Sequence, residues 1–539
     1  MKASTAAVLW AEKRVVMKIH ENKEIPKIVP VVYPDTAVKT IAGLGFTENE
    51  YVNVKRGDFS YEGNSGHPEA TVVVSPHFSL DIEGVQVPVY ATVVYIGENS
   101  DCALHSYAIA ETDSFDDGLN VKISLLASNH DSVVVLPKEP QVSADMKNGF
   151  VTAEITAPGD YTFVFCDHKG VVDQYHSVTL FIRGYREEDE EIKYLKDKLG
   201  SENVMVFDAG VRFFNHIEIE KDDSVLYFRR GSLLIARGNP EYSDNDSYIE
   251  EGAQEKTGWG FTRYPLISAN GKRNIRIAGN GTIDAGQLGW HERRGVVLHD
   301  CSRFKISGLT ILNVPEWAMI LYCCDDFHIS DVRVFGYKTN SDGIAVCNSS
   351  NAEVSGCFSR SGDDLFEVKT FKGGPKCLAA ENIIFRNCIA WAGKARCFGV
   401  IAELHRNVNN VIFKDCSVIV RDATWDDHIL GSLVIICSEG SGKISGITFE
   451  NIDIWQDHGR AINIVNTDEK QDERIVEKIV FRNIKYKSVL PDIFIAGERG
   501  RNRIEAEFIG LIRNGSAVTR ENIGEHVIMD THSKLTVSL

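Results

Sequence analysis

No stretch of this 539-residue chain is apolar for long enough to cross a bilayer as a helix. The N-terminal stretch "MKASTAAVLWAEKRVVMKIHENKE" lacks the basic, apolar, small-residue order of a signal peptide, since charges interrupt every apolar patch. A cytoplasmic location is therefore expected, unless a leader has been removed. There is no Cys-x-x-Cys pair among the twelve cysteines, so no zinc motif is present and no metal or other cofactor is expected. Positive charge is also short. The net charge is −18, which weighs against nucleic acid and anionic membrane surfaces as partners. Hydrophobic content of 43% and charged content of 25% are those of a globular protein, and the length calls for more than one domain.

What is present falls into two halves. Residues 1–185 read as all-β. "ATVVVSPHFSLDIEGVQVPVYATVVYIG" alternates and is rich in β-branched residues, and "DYTFVFCDHKGVVDQYHSVTLFIRGY" reads as a hairpin pair closing a β-sandwich-like domain. Residues 186–200, "REEDEEIKYLKDKLG", are charged and end in glycine, a linker with a helical turn or two.

From residue 201 the chain repeats itself. One frame, with an apolar residue two before a small turn residue, recurs with Ile277, Ile306, Ile329, Val354, Phe385, Phe413, Phe449 and Phe481 in its apolar slot. The intervals of 23 to 36 residues, without a helical pattern between them, predict a parallel β-solenoid over 201–539. Three residues after the slot stand Leu309, Val332, Cys357, Cys388, Cys416, Ile452 and Ile484. That is an inward column in which cysteine serves as a small apolar residue, and reduced thiols agree with a cytoplasmic address. The stretch from about Arg501 breaks the frame and is expected to cap the open end.

Asp342, Asp363 and Asp364 are the candidate catalytic residues. In a solenoid, residues one coil apart lie on adjacent strands about 4.8 Å apart. The 22 residues from Asp342 to Asp364 make one coil, so three carboxylates share a small area. Crowding raises at least one of their pKa values. One protonated and one ionised carboxyl are what glycoside hydrolysis requires, and inversion needs them about 6.5–9.5 Å apart. A calcium site or a ladder of turn-forming aspartates would explain the same residues equally well.

The segments "RYPLISANGKRNIRIAGNGTIDAG", "NVPEW", "NSDG" and "SGDDLFEVK" resemble, in order and spacing, the polygalacturonase-like enzymes of glycoside hydrolase family 28. The resemblance spans roughly 200–490. It implies a right-handed parallel β-helix and an inverting glycosidase without metal. Asp364 then resembles the general acid, and Asp342 and Asp363 the residues that hold the water. The family's Gly-His-Gly reads Gly393-Lys394-Ala395-Arg396 here, and its Arg-Ile-Lys segment has no clear counterpart in "RDATWDDHILGSLVII". The dextranase and isopullulanase group, family 49 of the same clan, lacks these features too and carries a β-sandwich before its β-helix. The family is thus left open between the two, with a neutral glycan slightly favoured over galacturonan.

Candidate substrate-binding residues are Lys369, Lys394 and Arg396, with Trp290–His291 and Trp425–His428 as sugar-stacking walls. Lys369 reads equally well as a charge partner for nearby acids. Trp317 is expected in the core and Glu403 on the surface. A carbohydrate is the expected partner, and homo-oligomerisation is left open. A β-helix polysaccharide lyase or epimerase, and a non-catalytic glycan-binding β-helix, are the competing classes.

Overall fold

The computed structural model describes residues 27–56, 72–97, 101–126, 130, 132–138, 142–167, 170, 172–237, 265–289, 292–338, 340–372, 378–422, 429–466, 475–488, 491–497, 503–529 and 534–538. Alternation in the first half makes two facing sheets. One sheet has five strands and runs from Val85–Val87 to Ala144–Lys147. The other has seven and contains the long strands Asp101–Thr112 and Val172–Gly184, paired in parallel. Phe78, Leu80, Ile123, Phe163, Phe165 and Leu180 fill the space between them.

The second half is a right-handed parallel β-helix. Its strands form a 22-stranded sheet and an 11-stranded sheet, parallel throughout except at one terminal hairpin. The repeat read from the sequence is the observed register. Ile277 pairs with Ile306, Ile306 with Ile329, Ile329 with Val354, and Val354 with Phe385. The column continues through Phe413, Phe449 and Phe481. Rings of Phe385, Phe413, Phe449 and Phe481 stack at 4.8–4.9 Å between centroids. No coil can bury its own apolar edge, so each closes the next.

Corners need a left-handed residue, and asparagine or aspartate fills them. Asn351, Asn382 and Asn410 all have φ between +52° and +57°. Their amides form a ladder, Asn382 donating to Asn351 at 3.1 Å and Asn410 to Asn382 at 2.9 Å. Among the described residues ten cysteines are free and buried, including Cys357, Cys388 and Cys416 of the inward column, while Cys323 is disulfide-bonded.

Two expectations change. Residues Glu188–Leu199 form a three-turn helix that packs Ile192 and Leu195 onto Val204, Val225 and Tyr227, so this segment covers the first coil as well as joining two parts. The solenoid also runs past 501. Strand Arg503–Ile509 pairs in parallel with Ile475–Tyr486, placing Phe508 beside Phe481.

The sandwich lies along one side of the β-helix. Tyr33, Tyr107, Ile109 and Phe181 pack with Phe335, Phe358, Ile389 and Trp391 of successive coils. Buried Arg360 stacks 3.6 Å from the Trp391 ring centroid. It donates to Ser177 Oγ at 3.1 Å, to the Gln174 carbonyl at 3.1 Å, and to His105.

Candidate active site

Strand Phe366–Thr370 pairs with Ile344–Cys347 such that Ile344 faces Phe366. Two residues back, the same offset sets Asp342 against Asp364, and Gly343 N donates to Asp364 O at 2.8 Å. The one-coil inference from the 22-residue gap is thereby met. The aspartate pair stands in the bend before its strand, where the two side chains escape strand alternation. Gly362 makes this bend: a Cβ there would meet the Lys338 carbonyl oxygen at 2.4 Å. Its N–H donates to Ser341 Oγ at 3.0 Å, and Asp364 N–H donates to Asp363 Oδ1 at 3.0 Å.

Alternation along "FEVKT" then adds charge to the same face. Phe366 and Val368 enter the solenoid core, so Glu367 and Lys369 point the other way. Both are almost wholly covered there, at 0% and 4% exposed. Lys369 Nζ lies 2.9 Å from Glu367, 3.3 Å from Glu403 and 3.8 Å from Asp364. It is a charge partner for acids rather than a group turned to substrate. Burial opposes its charge, but Glu367, Glu403 and Asp364 outweigh that and hold its pKa above the usual lysine range.

Glu403 is buried, not on the surface. Ala402, at φ +64°, breaks the register of its strand and lets Glu403 reach Lys369. Arg396 Nη1 donates to both oxygens of Asp364, at 3.0 and 2.9 Å, and Nε donates to the Ile429 carbonyl at 2.7 Å. It is spent on the aspartate. Lys394 remains near Asp363, with Nζ 5.5 Å from the Tyr95 ring centroid of the sandwich. Trp317 is core, as expected, and Lys369 Nζ lies 5.1 Å from its ring centroid. Trp290, His291, Trp425 and His428 lie outside the described residues.

Five carboxyls thus face three cations, and the surplus is met by retained protons. Asp342, 3% exposed, is pushed well above the usual carboxylate range by burial, then by Asp363 and Glu367. Glu367 is pushed up to about 8, by burial first and then by Asp364 against the opposing pull of Lys369. Asp363 is raised to about 6 by burial and the Asp364 charge, with Arg396, Lys369 and Lys394 pulling it down.

Oxygens of Asp342, Asp364 and Glu367 come within 4.8 Å of one another, close enough to be considered for a cation. Lys369 and Arg396 already supply positive charge to Glu367 and Asp364, so the donor set is matched without an ion. Glu367 was not singled out from the sequence. Period-2 alternation through "FEVK" was the signal, because it puts Glu367 on the face of Lys369.

By fold and by sequence the chain resembles the polygalacturonase-like glycoside hydrolases of families 28 and 49. Residues 252–494 match the family model for Glycosyl hydrolases family 28. A protein of Arabidopsis thaliana described as "Probable polygalacturonase" is 24% identical over 251 residues, covering 43% of this chain and 51% of that one. An exopolygalacturonase of Zea mays is 26% identical over 153 residues, covering 26% and 33%. The chain therefore spans about half or less of these relatives. Among solved structures, Dex49A from Penicillium minioluteum superposes with a TM-score of 0.59 at 12% identity, covering 86% of this chain and 95% of that one. That likeness concerns the fold, and it takes in both halves.

Proposed function

We propose that this protein hydrolyses glycosidic bonds with inversion at the Asp342–Asp363–Asp364 cluster. The observation that carries the reading is the pairing of Asp342 with Asp364 across neighbouring coils, with Asp363 turned into the same bend. Carboxylate oxygens within 4.8 Å can share one water, since two hydrogen bonds of about 2.8 Å span that gap. Asp342, whose raised pKa keeps its proton on, holds this water, and Asp364, paired with Arg396, takes the water's proton.

The acid role moves from Asp364 to Asp363. Both Asp364 oxygens accept from Arg396, which leaves neither to carry and deliver a proton. Asp363 has a raised pKa, about 6, so it keeps its proton in mildly acidic solution, and it is the most exposed of the three. Protonating the leaving oxygen weakens the glycosidic bond while water attacks from the opposite side of the ring.

Polygalacturonate is the favoured substrate, in place of the neutral glycan expected from the sequence, because the matched family and both named relatives point there. Lys394 is the cation beside Asp363 that would meet a uronate carboxylate. A neutral glucan is the second reading. It rests on the likeness to Dex49A across both halves and on Arg396 being committed to Asp364. The test is release of reducing ends from polygalacturonate and from dextran by wild type, Asp363→Asn and Lys394→Ala. Turnover of polygalacturonate, abolished in Asp363→Asn and weakened through KM in Lys394→Ala, is expected. Turnover of dextran alone would reverse the substrate assignment, and unchanged turnover in Asp363→Asn would overturn the mechanism.

A further inference from the structure

A second cluster of chemistry-bearing side chains lies in the sandwich. Strands Gly159–Cys166 and Val172–Gly184 pair as Val164↔Ser177 and then Cys166↔Val172. Between these pairs one strand advances two residues and the other five, so residues 173–176 bulge out. Asp173 shapes the bulge, its Oδ1 accepting from the Tyr175 N–H at 2.8 Å and the His176 N–H at 3.3 Å. Oδ2 is left facing His176 Nδ1 at 2.7 Å. The neighbouring strand begins at Ser132, opposite Cys166, and brings His130 to the same end, with Nε2 3.8 Å from the same Oδ2.

We propose that His130, Asp173 and His176 form a binding site for a divalent transition metal of the zinc class. A donor atom from each lies within 4.8 Å of the others. Tetrahedral zinc with ligands at about 2.0–2.1 Å separates neighbouring donors by about 3.3 Å. The observed 2.7 and 3.8 Å straddle that spacing, so shifts of about half an ångström close the site. Two imidazoles and one carboxylate are borderline donors that suit zinc, cobalt or nickel, and three donors fall short of the six to eight oxygens calcium takes.

The surroundings fit a site open on one side. His130 is 9% exposed, while Asp173 and His176 are 25% and 26% exposed, which leaves a path for the ion and a place for water as fourth ligand. His77 covers the other side, 4.5 Å from His176 between ring centroids and held by Glu48 at 2.8 Å through Nε2. Its Nδ1 is buried with no hydrogen-bond partner, an independent sign that a polar group is still to be accommodated here. The ion would also stiffen the docking of the two domains, because Gln174 in the same bulge accepts from Arg360 of the β-helix.

The test is calorimetric titration of chelator-stripped full-length protein with Zn2+, alongside the visible spectrum of the Co2+ form. One ion per chain and the intense visible bands of four-coordinate cobalt are expected. His130→Gln and His176→Gln should each weaken zinc binding by about 10–100-fold or more. Glu367→Gln, in the β-helix acid cluster, should leave zinc affinity unchanged. Absence of zinc binding, a six-coordinate cobalt spectrum, or affinity lost in Glu367→Gln and kept in both histidine variants would overturn the proposal. The cobalt spectrum uses wild-type protein, so it decides the matter even where a variant fails to fold.

Discussion

At the scale of single residues, the account turns on where protons reside. Asp363 keeps its proton up to about pH 6 in the folded protein. An unfolded aspartate loses it near 3.9. Between these values the folded state binds more protons, so this group's contribution to stability is present at low pH and lost as pH rises through 6. Asp363→Asn removes the penalty. Thermal midpoints measured from pH 4 to 8 should show the variant gaining on wild type as pH rises, by about 3 kcal/mol once pH is well above 6. An acid with this pKa also requires kcat to fall above about pH 6, as seen in a pH–rate profile. Arg396→Gln removes both hydrogen bonds to Asp364 and leaves this buried carboxylate only the more distant Lys369 as a cationic partner. Turnover should drop about 10²-fold or more, with the circular dichroism spectrum unchanged.

Asp342, Asp363 and Asp364 were legible in the sequence because the coil period converts a gap of 22 into adjacency. Arg396 was legible as a residue standing where the family has histidine, but its partner was not, since it is the bend at Gly362 that turns Asp364 out of strand alternation. Glu403 was hidden for a different reason. Its burial follows from a positive φ at alanine, a conformation that residue type does not announce.

At the scale of elements, the columns govern. Phe413 stacks between Phe385 and Phe449 and is 0% exposed. Phe413→Ala should cost about 3–5 kcal/mol, read from urea unfolding, because its neighbours are locked in register and cannot close the gap. Gly343 separates the two catalytic coils, and a Cβ there would meet the Leu365 carbonyl oxygen at 2.2 Å. Gly343→Ala should therefore push Asp342 away from Asp364 and lower kcat more than KM. The column was readable because it repeats. Phe508 continues it in "EAEFIG", where the apolar residue still stands two before a glycine but the leading Asn of several earlier repeats is replaced by Glu505. The "GNGTIDAG" motif also has a role that sequence alone did not indicate. Asn280 bonds Glu111 of the sandwich at 2.9 Å and Thr282 bonds Tyr33 at 2.6 Å, so the motif forms part of the seam between domains.

At the scale of the molecule, the sandwich is joined to the coils that bear the aspartates. Arg360 lies three residues before Asp363, and its contacts are Ser177, Gln174, His105 and Trp391. Trp391→Ala should cost about 3–5 kcal/mol and make the two halves unfold in separate calorimetric steps. The pairings inside the sandwich, such as the parallel register of Ser106 with Val178, were not readable, because strands about 70 residues apart carry no repeat to align them.

The central claim is that one water, held between Asp342 and Asp364, attacks while Asp363 donates a proton. It is tested most directly by following the anomer of the first-released product by NMR, with polygalacturonate as substrate. The account predicts that the inverted anomer appears first and that Asp363→Asn releases none. Initial appearance of the retained anomer, or an unsaturated product absorbing in the ultraviolet, would contradict it.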